Sequence, residues 1–174
     1  MSVWFRQEIQ AMPWQVDLSS GLPELYPVSG FRLGTTSAGI KIPGRPDLVV
    51  MEVAAGSNTA AVFTQNAFCA APVIVAREHL ALQQPGYLLV NTGNANAGTG
   101  DAGRRDALAC CAALAGHAGC PAQAVLPFST GVIGEPLPAG KIQSSLTTAL
   151  QRLDEHGWSA AATGILTTDT VAKG

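Results

Sequence analysis

The chain has 174 residues, of which 47% are hydrophobic and only 13% charged, with a formal net charge of −2 and a pI near 5.8. A substantial core can be built from this composition, but there is no electrostatic footprint for nucleic acid, and Arg104-Arg105 is the only adjacent basic pair. No apolar stretch approaches the roughly 20 residues that a membrane span needs, and the start MSVWFRQEIQ lacks the basic head and apolar centre of a signal peptide.

A domain this poor in charge often hides surface against a partner. Cys69, Cys110, Cys111 and Cys120 include no CxxC pair, so zinc is not indicated. Buried free thiols in a reducing cytoplasm are the expectation.

Residues 1–27 look irregular. Trp4, Phe5 and Trp14 are apolar anchors without periodicity, and Pro13, Pro23 and Pro27 interrupt any long helix. We read residues 1–21 as an N-terminal arm, laid over another surface or simply unstructured, and 22–174 as one domain. From Gly30 short alternating runs begin. Residues 31–34 and 38–42 read as paired strands, and Pro43-Gly44-Arg45-Pro46-Asp47 as a turn. Residues 48–54 and 60–64 read as two further strands of an antiparallel sheet.

Ala71 to Leu82 reads as a helix with Pro72 in its first turn. Gly86 to Asn91 is a buried strand, followed by the small-residue loop Thr92 to Gly100. Asp101 is placed to cap a helix over roughly 104–118, with Leu108, Cys111, Ala112 and Ala115 at helical spacing. After a strand at 125–128, Pro138 opens a helix to about Leu153 with the stripe Ile142, Leu146, Leu150 and Leu153. Trp158 and Ala160 to Ala162 make a short helical piece, and 163–170 reads as a strand entering a polar loop.

Two glycine patterns are weak leads. Gly98, Gly100 and Gly103 have dinucleotide-loop spacing, but the first glycine comes several residues after the strand end. The next strand ends in Ser129, not in an acid for a ribose hydroxyl. Gly134 to Lys141 has one residue too many between its glycines for a phosphate loop, and Ile142 where a Ser or Thr is needed. His79, His117 and His156 share no motif and read as exposed helix-face histidines. Cys69 has no nameable activating partner as a nucleophile.

The stretch VLPFSTGVIGE at 125–135 carries more. An apolar strand stops at Ser129-Thr130-Gly131, where a turn can present a hydroxyl and a bare backbone N–H to one point. Such a donor pair stabilises the oxyanion of acyl-transfer chemistry. The plainer alternative is a turn with local hydroxyl-to-backbone bonds.

Five separated segments then agree. GFRLGTTSAGIKIPGRPDLVVM at 30–51, VFTQNAFCAAPVIV at 62–75, NTGNANAGTG at 91–100, LPFSTGVIGEPLP at 126–138 and ATGILTTDT at 162–170 occur in this order. Together they resemble the arginine-biosynthesis ornithine acetyltransferase family, also called glutamate N-acetyltransferase, from about residue 22 onward.

The resemblance implies a mixed α/β (α+β) fold, a layered sandwich of helices and mixed or antiparallel sheets, of the N-terminal-nucleophile-like, self-processing kind. Members are made as a precursor that cuts itself into α and β chains, and a threonine at the new β N-terminus is the nucleophile. This sequence holds no such threonine at its start, Met1-Ser2, and ends before the family's cleavage site. The expectation is therefore an α-chain portion that alone is not catalytic. It would be completed by a β chain from the same precursor, as αβ pairs in a cytoplasmic heterotetramer.

Matched to the family motif, Thr130 and Gly131 fall on the oxyanion hole, through the Thr130 hydroxyl and the Gly131 backbone N–H. Thr167 falls on a substrate-binding threonine. Asn94 and Asn96 receive no role, and structural bonding in a tight loop is an equal reading. The implied reaction is ping-pong transfer of acetyl from N-acetylornithine to glutamate, with no cofactor, no metal, no nucleic acid and no membrane. Acetyl-CoA stays open as a second acetyl donor. A non-catalytic scaffold subunit and a same-fold amidase or peptidase are the competing classes.

Overall fold

The computed structural model describes residues 22–169 and 172. The arm expected at 1–21 lies outside the described residues.

The run LVVMEV is apolar except for Glu52 near its end, and it forms the largely buried strand β2 (Leu48–Val53). Leu48 and Val50 enter one core, while Val49 and the half-buried Met51 belong to the other. β2 pairs antiparallel with β1 (Phe31–Thr36) on one side and with β3 (Tyr87–Asn94) on the other. β4 (Val125–Val132) adds parallel to β3, giving the order β1-β2-β3-β4. Helices α1 (Ala71–Leu82), α2 (Gly100–Ala118) and α3 (Ala139–Gln151) cover one face. The short α4 (Trp158–Gly164) covers β1 and β2 on the other. The fold is thus mixed α/β in layers, as expected. Among the described residues, no helix is long and apolar enough to cross a membrane.

The larger core joins Leu48, Val50, Leu89 and Val125 of the sheet to Val75, Leu114, Ile142 and Leu146 of the helices. α1 begins with Pro72 in its first turn, where a missing N–H costs nothing. α3 follows Pro138 and buries Ile142, Leu146 and Ala149, with Leu150 and Leu153 packed at the margin. α2 starts earlier than expected, so Asp101 sits in its first turn and Thr99 is the cap position. Its buried stripe is Gly103, Ala107, Cys110, Cys111, Leu114 and Ala115. Leu108 is only half-buried and Ala112 is exposed. Small side chains let this helix pack closely, so its inward face is set by shape more than by hydrophobic size.

Gly34 is one place where only glycine fits. A Cβ there would lie 2.0 Å from the Ala149 carbonyl oxygen of α3. Gly34→Ala is expected to cost at least about 1–3 kcal/mol, the usual range for overpacking, and to lower Tm in thermal denaturation by several degrees.

Five expected elements differ. Residues 38–42 form a loop instead of a strand, because the Asp47 carboxylate takes the Ala38 and Ile40 N–H groups that a ladder would use. β1 therefore pairs with β2. Residues 60–64 are irregular too, with Val62 99% exposed. Arg77 donates to the Thr64 carbonyl at 3.1 Å and lies over the Phe63 ring, fixing this segment by side-chain contacts. Residues 163–170 are not a strand over their described part: α4 runs to Gly164, and the Ile165 and Leu166 N–H groups turn back to Ala161 and Thr163 carbonyls. Lastly, β4 continues through Ser129, Thr130 and Gly131, where a turn was expected, and β3 continues beside it through Thr92 to Asn94, where a loop was expected.

His79 is buried, unlike the exposed helix-face histidine expected, and its Nδ1 meets the Val125 carbonyl at 2.7 Å where α1 packs on β4. His117 and His156 are exposed. All four cysteines are free. Burial pushes the Cys110 and Cys111 thiols up to about 12, leaving a thiolate fraction on the order of 10⁻⁴ at pH 8. A brief iodoacetamide pulse at pH 8 on the folded protein should leave both unmodified by peptide mass mapping. Unfolding in denaturant should expose them to alkylation.

Candidate active site

The parallel strands β3 and β4 bring their C-terminal ends together. Thr92 is in register with Thr130 and Gly93 with Gly131, and then the ladder shifts so that Asn94 meets both Thr130 and Val132. Such irregularities re-aim backbone groups and side chains and recur beside active sites. Two glycines make this one possible. Gly131 has φ +136°, and a Cβ on it would lie 2.4 Å from the Gly93 carbonyl carbon and 2.6 Å from the Asn94 nitrogen. Gly93 has φ +89°, and a Cβ on it would meet the Lys41 Cβ at 3.1 Å.

The three hydroxyl-bearing neighbours differ in their partners. Ser129 donates to the Asn91 side chain at 2.6 Å and is committed to the structure. Thr92 donates to the Gly164 carbonyl at the end of α4. Its register partner Thr130 has a hydroxyl with no hydrogen-bond partner among the described residues, and it lines an open cleft.

That cleft holds about 560 Å³. Lys41, Ile42, Arg45 and Asp47 form one wall, Thr92, Gly93, Thr130, Gly131 and Val132 the floor, and Leu166, Thr167 and Thr168 a second wall. Thr130, Gly131 and Thr167, picked out separately along the sequence, thus line one cavity. Arg45 donates to the Leu166 carbonyl at 3.0 Å and to the Thr167 carbonyl at 3.4 Å. Asp47 is 4% exposed and accepts from Ala38 and Ile40, each at 2.6 Å. Lys41 is exposed and carries no ion-pair or hydrogen-bond partner on its ammonium among the described residues.

Sequence reasoning passed over Lys41, Arg45, Asp47 and Thr92. The first three stand in a stretch that reads as strand and turn punctuation. The charges inside GRPD were the available signal, since a turn needs neither an arginine nor a buried acid.

The asparagines hold the floor's outer loop. Asn94 accepts the Asn96 N–H at 2.8 Å and donates to the Glu135 and Pro136 carbonyls. Asn96, fully buried with φ +47°, donates to the Gly103 carbonyl at 2.9 Å and accepts from Thr99. A Cβ on Gly103 would lie 2.2 Å from the Asn96 side-chain oxygen. This explains that glycine by packing, without a phosphate.

Comparison with known proteins places this arrangement. The model of the ArgJ family matches residues 32–174. The arginine biosynthesis bifunctional protein ArgJ of Pseudomonas syringae pv. tomato is 60% identical over 153 residues, covering 88% of this chain and 38% of that protein. The chain therefore spans well under half the length of the curated relatives it matches. The crystal structure of ornithine acetyltransferase from Mycobacterium tuberculosis, complexed with ornithine, superposes with a TM-score of 0.78 at 34% identity. It covers 83% of this chain and 79% of that one. That of ArgJ from Bacillus halodurans gives 0.76 at 36% identity, covering 82% and 75%. The matched region takes in the sheet, its helices and every wall of the cleft, and the chain belongs to the ArgJ family.

Proposed function

We propose that this chain is the α portion of an ornithine acetyltransferase, which moves acetyl from N-acetylornithine to glutamate in arginine biosynthesis. The observation that carries the reading is the cleft floor, where a free Thr130 hydroxyl stands beside Gly131, whose backbone lies bare against β3. In this reading the Thr130 O–H and the Gly131 N–H donate to the oxygen of the tetrahedral intermediate. Thr167, which lines the same cleft, contacts the substrate. A threonine at the start of a β chain attacks the acetyl carbonyl, ornithine leaves, and glutamate takes the acetyl group from the acyl-enzyme. The acyl group needs no cofactor for this, and acetyl-CoA is a candidate second donor.

The β chain arises by self-cleavage of a longer precursor, and αβ pairs assemble into a heterotetramer in the cytoplasm. The length of the relatives supports a second portion. The surface supports it as well: among the described residues β4 is paired on one side only, and Val62, Phe68, Phe128 and Ile133 are exposed near it or beside its end. Coverage by the β portion accounts for this apolar area and for the low charge of the chain. Free thiols agree with a reducing compartment.

Two measurements on the full-length gene product test the proposal. Intact mass under native and denaturing conditions should find a second chain beginning with threonine. Incubation with N-acetylornithine and glutamate should yield N-acetylglutamate. A single unprocessed species without transfer would refute the reading, and release of free acetate in place of transfer would make the protein a hydrolase.

A further inference from the structure

We propose that Arg45 and Asp47 are positioning residues of the cleft, each holding one of its two walls in place. The inference rests on the acyl-transfer reading of the cleft.

Asp47 sits at the base of the first wall. Its backbone N–H donates to the Thr36 carbonyl at 3.1 Å, and its carbonyl accepts the Thr92 N–H at 2.9 Å. The residue is therefore anchored between β1 and the floor strand β3. Its carboxylate is buried and has no cationic partner among the described residues. A buried carboxylate is costly unless its oxygens are bonded. Here one oxygen takes the Ala38 N–H and the other the Ile40 N–H. Both donors lie on the loop that seats Lys41 and Ile40 on Gly93. An isosteric amide could accept only one of these bonds, and would turn its own N–H groups toward the other donor. Lys141 of α3 donates to the Gly39 carbonyl at 2.7 Å, so the loop has a second hold and would loosen without detaching.

Arg45, two residues before, reaches the other way. One guanidinium nitrogen serves both the Leu166 and the Thr167 carbonyls. The described segment after α4 is not a strand, and this arginine ties it to the 43–47 turn. Neither side chain belongs to the β1–β2 ladder, which closes through backbone pairs from Phe31↔Val53 to Thr36↔Leu48. Two polar side chains in a five-residue turn thus hold two of the segments that line the cleft, while the proposed oxyanion donors stand on β4.

The test uses the full-length, processed protein and the variants Asp47→Asn, Arg45→Met and Arg45→Lys. Misplaced substrate contacts cost up to about 10²-fold. We therefore expect KM for N-acetylornithine to rise about tenfold in Asp47→Asn and Arg45→Met, with kcat within about threefold of wild type. Arg45→Lys, which can still reach one carbonyl, should recover part of that rise. Amide exchange gives a readout independent of activity: in Asp47→Asn, exchange at Ala38 or Ile40 should quicken while Val49 to Val53 keep their protection. Unchanged KM in both variants, including a loss confined to kcat in step with a lowered Tm, would overturn the proposal. So would unchanged exchange at both Ala38 and Ile40. A wild-type protein without acetyl transfer is a different result: it refutes the functional reading itself.

Discussion

Thr130→Ala in the full-length protein is expected to lower kcat for acetyl transfer about 10²–10³-fold, the usual cost of removing one oxyanion donor. KM for N-acetylornithine should stay near its wild-type value, because the lost bond is made to the oxygen only as charge develops on it. The structure makes this a clean substitution. The hydroxyl has no protein partner among the described residues, so no buried acceptor is orphaned when it goes. Ser129 beside it cannot substitute, being bonded to Asn91. Tm should therefore move by little. Steady-state kinetics with thermal denaturation on the same sample decide the matter: near-normal turnover in a folded variant would remove Thr130 from the chemistry.

Gly131→Ala is the harsher change, and it should act on structure and activity together. A methyl group there has nowhere to go: the nearest atoms are backbone of β3, which cannot swing aside as a flexible side chain could. The φ of +136° is also one that an alanine rarely adopts. Strained backbone of this kind costs of order 1–3 kcal/mol, and overpacking adds about 1–3 kcal/mol. The strands must part at Thr92–Thr130 and Gly93–Gly131, which moves both proposed oxyanion donors. We expect acetyl transfer to fall more than 10²-fold and Tm to drop by several degrees. A variant with unchanged Tm and activity would show that the strands do not touch at this point in solution. The contrast is the diagnostic feature: Thr130→Ala removes a donor from an intact floor, whereas Gly131→Ala breaks the floor.

The site was legible to different degrees. The strand-like run and a hydroxyl beside a glycine drew attention to Thr130 and Gly131, but it was the family resemblance that gave them a role over a plain turn. The reason offered for them, a turn, was wrong in geometry. The structure reaches the same exposure by a strand irregularity against Gly93, which depends on a partner strand more than thirty residues away in the chain. Thr167 was identified through family resemblance alone; its local sequence reads as a strand, and in the structure its carbonyl accepts from Arg45. Arg45 and Asp47 themselves were hidden inside a good turn signal. Nothing local in PGRPD says that the acid is buried or that the arginine crosses to residues 166 and 167.

By itself the sequence determined the helix at 71–82, a helix from Pro138 to about Leu153, strands at 48–54 and 86–91, and a set of elements that fits α/β or α+β; the structure sets their ends at 71–82, 139–151, 48–53 and 87–94. Each of these is encoded by periodicity and end signals within a few residues, and burial merely ratifies them. Tertiary structure alone decided which alternating runs became strands. Residues 38–42 and 60–64 have the pattern, but a strand also needs a free edge to pair with, and side chains of Asp47 and Arg77 take up their backbone groups instead. It also decided that two glycines meet back to back between β3 and β4, and that four segments remote in sequence line one cleft. Those are contacts between distant segments, and a one-dimensional pattern records each partner without recording the pairing.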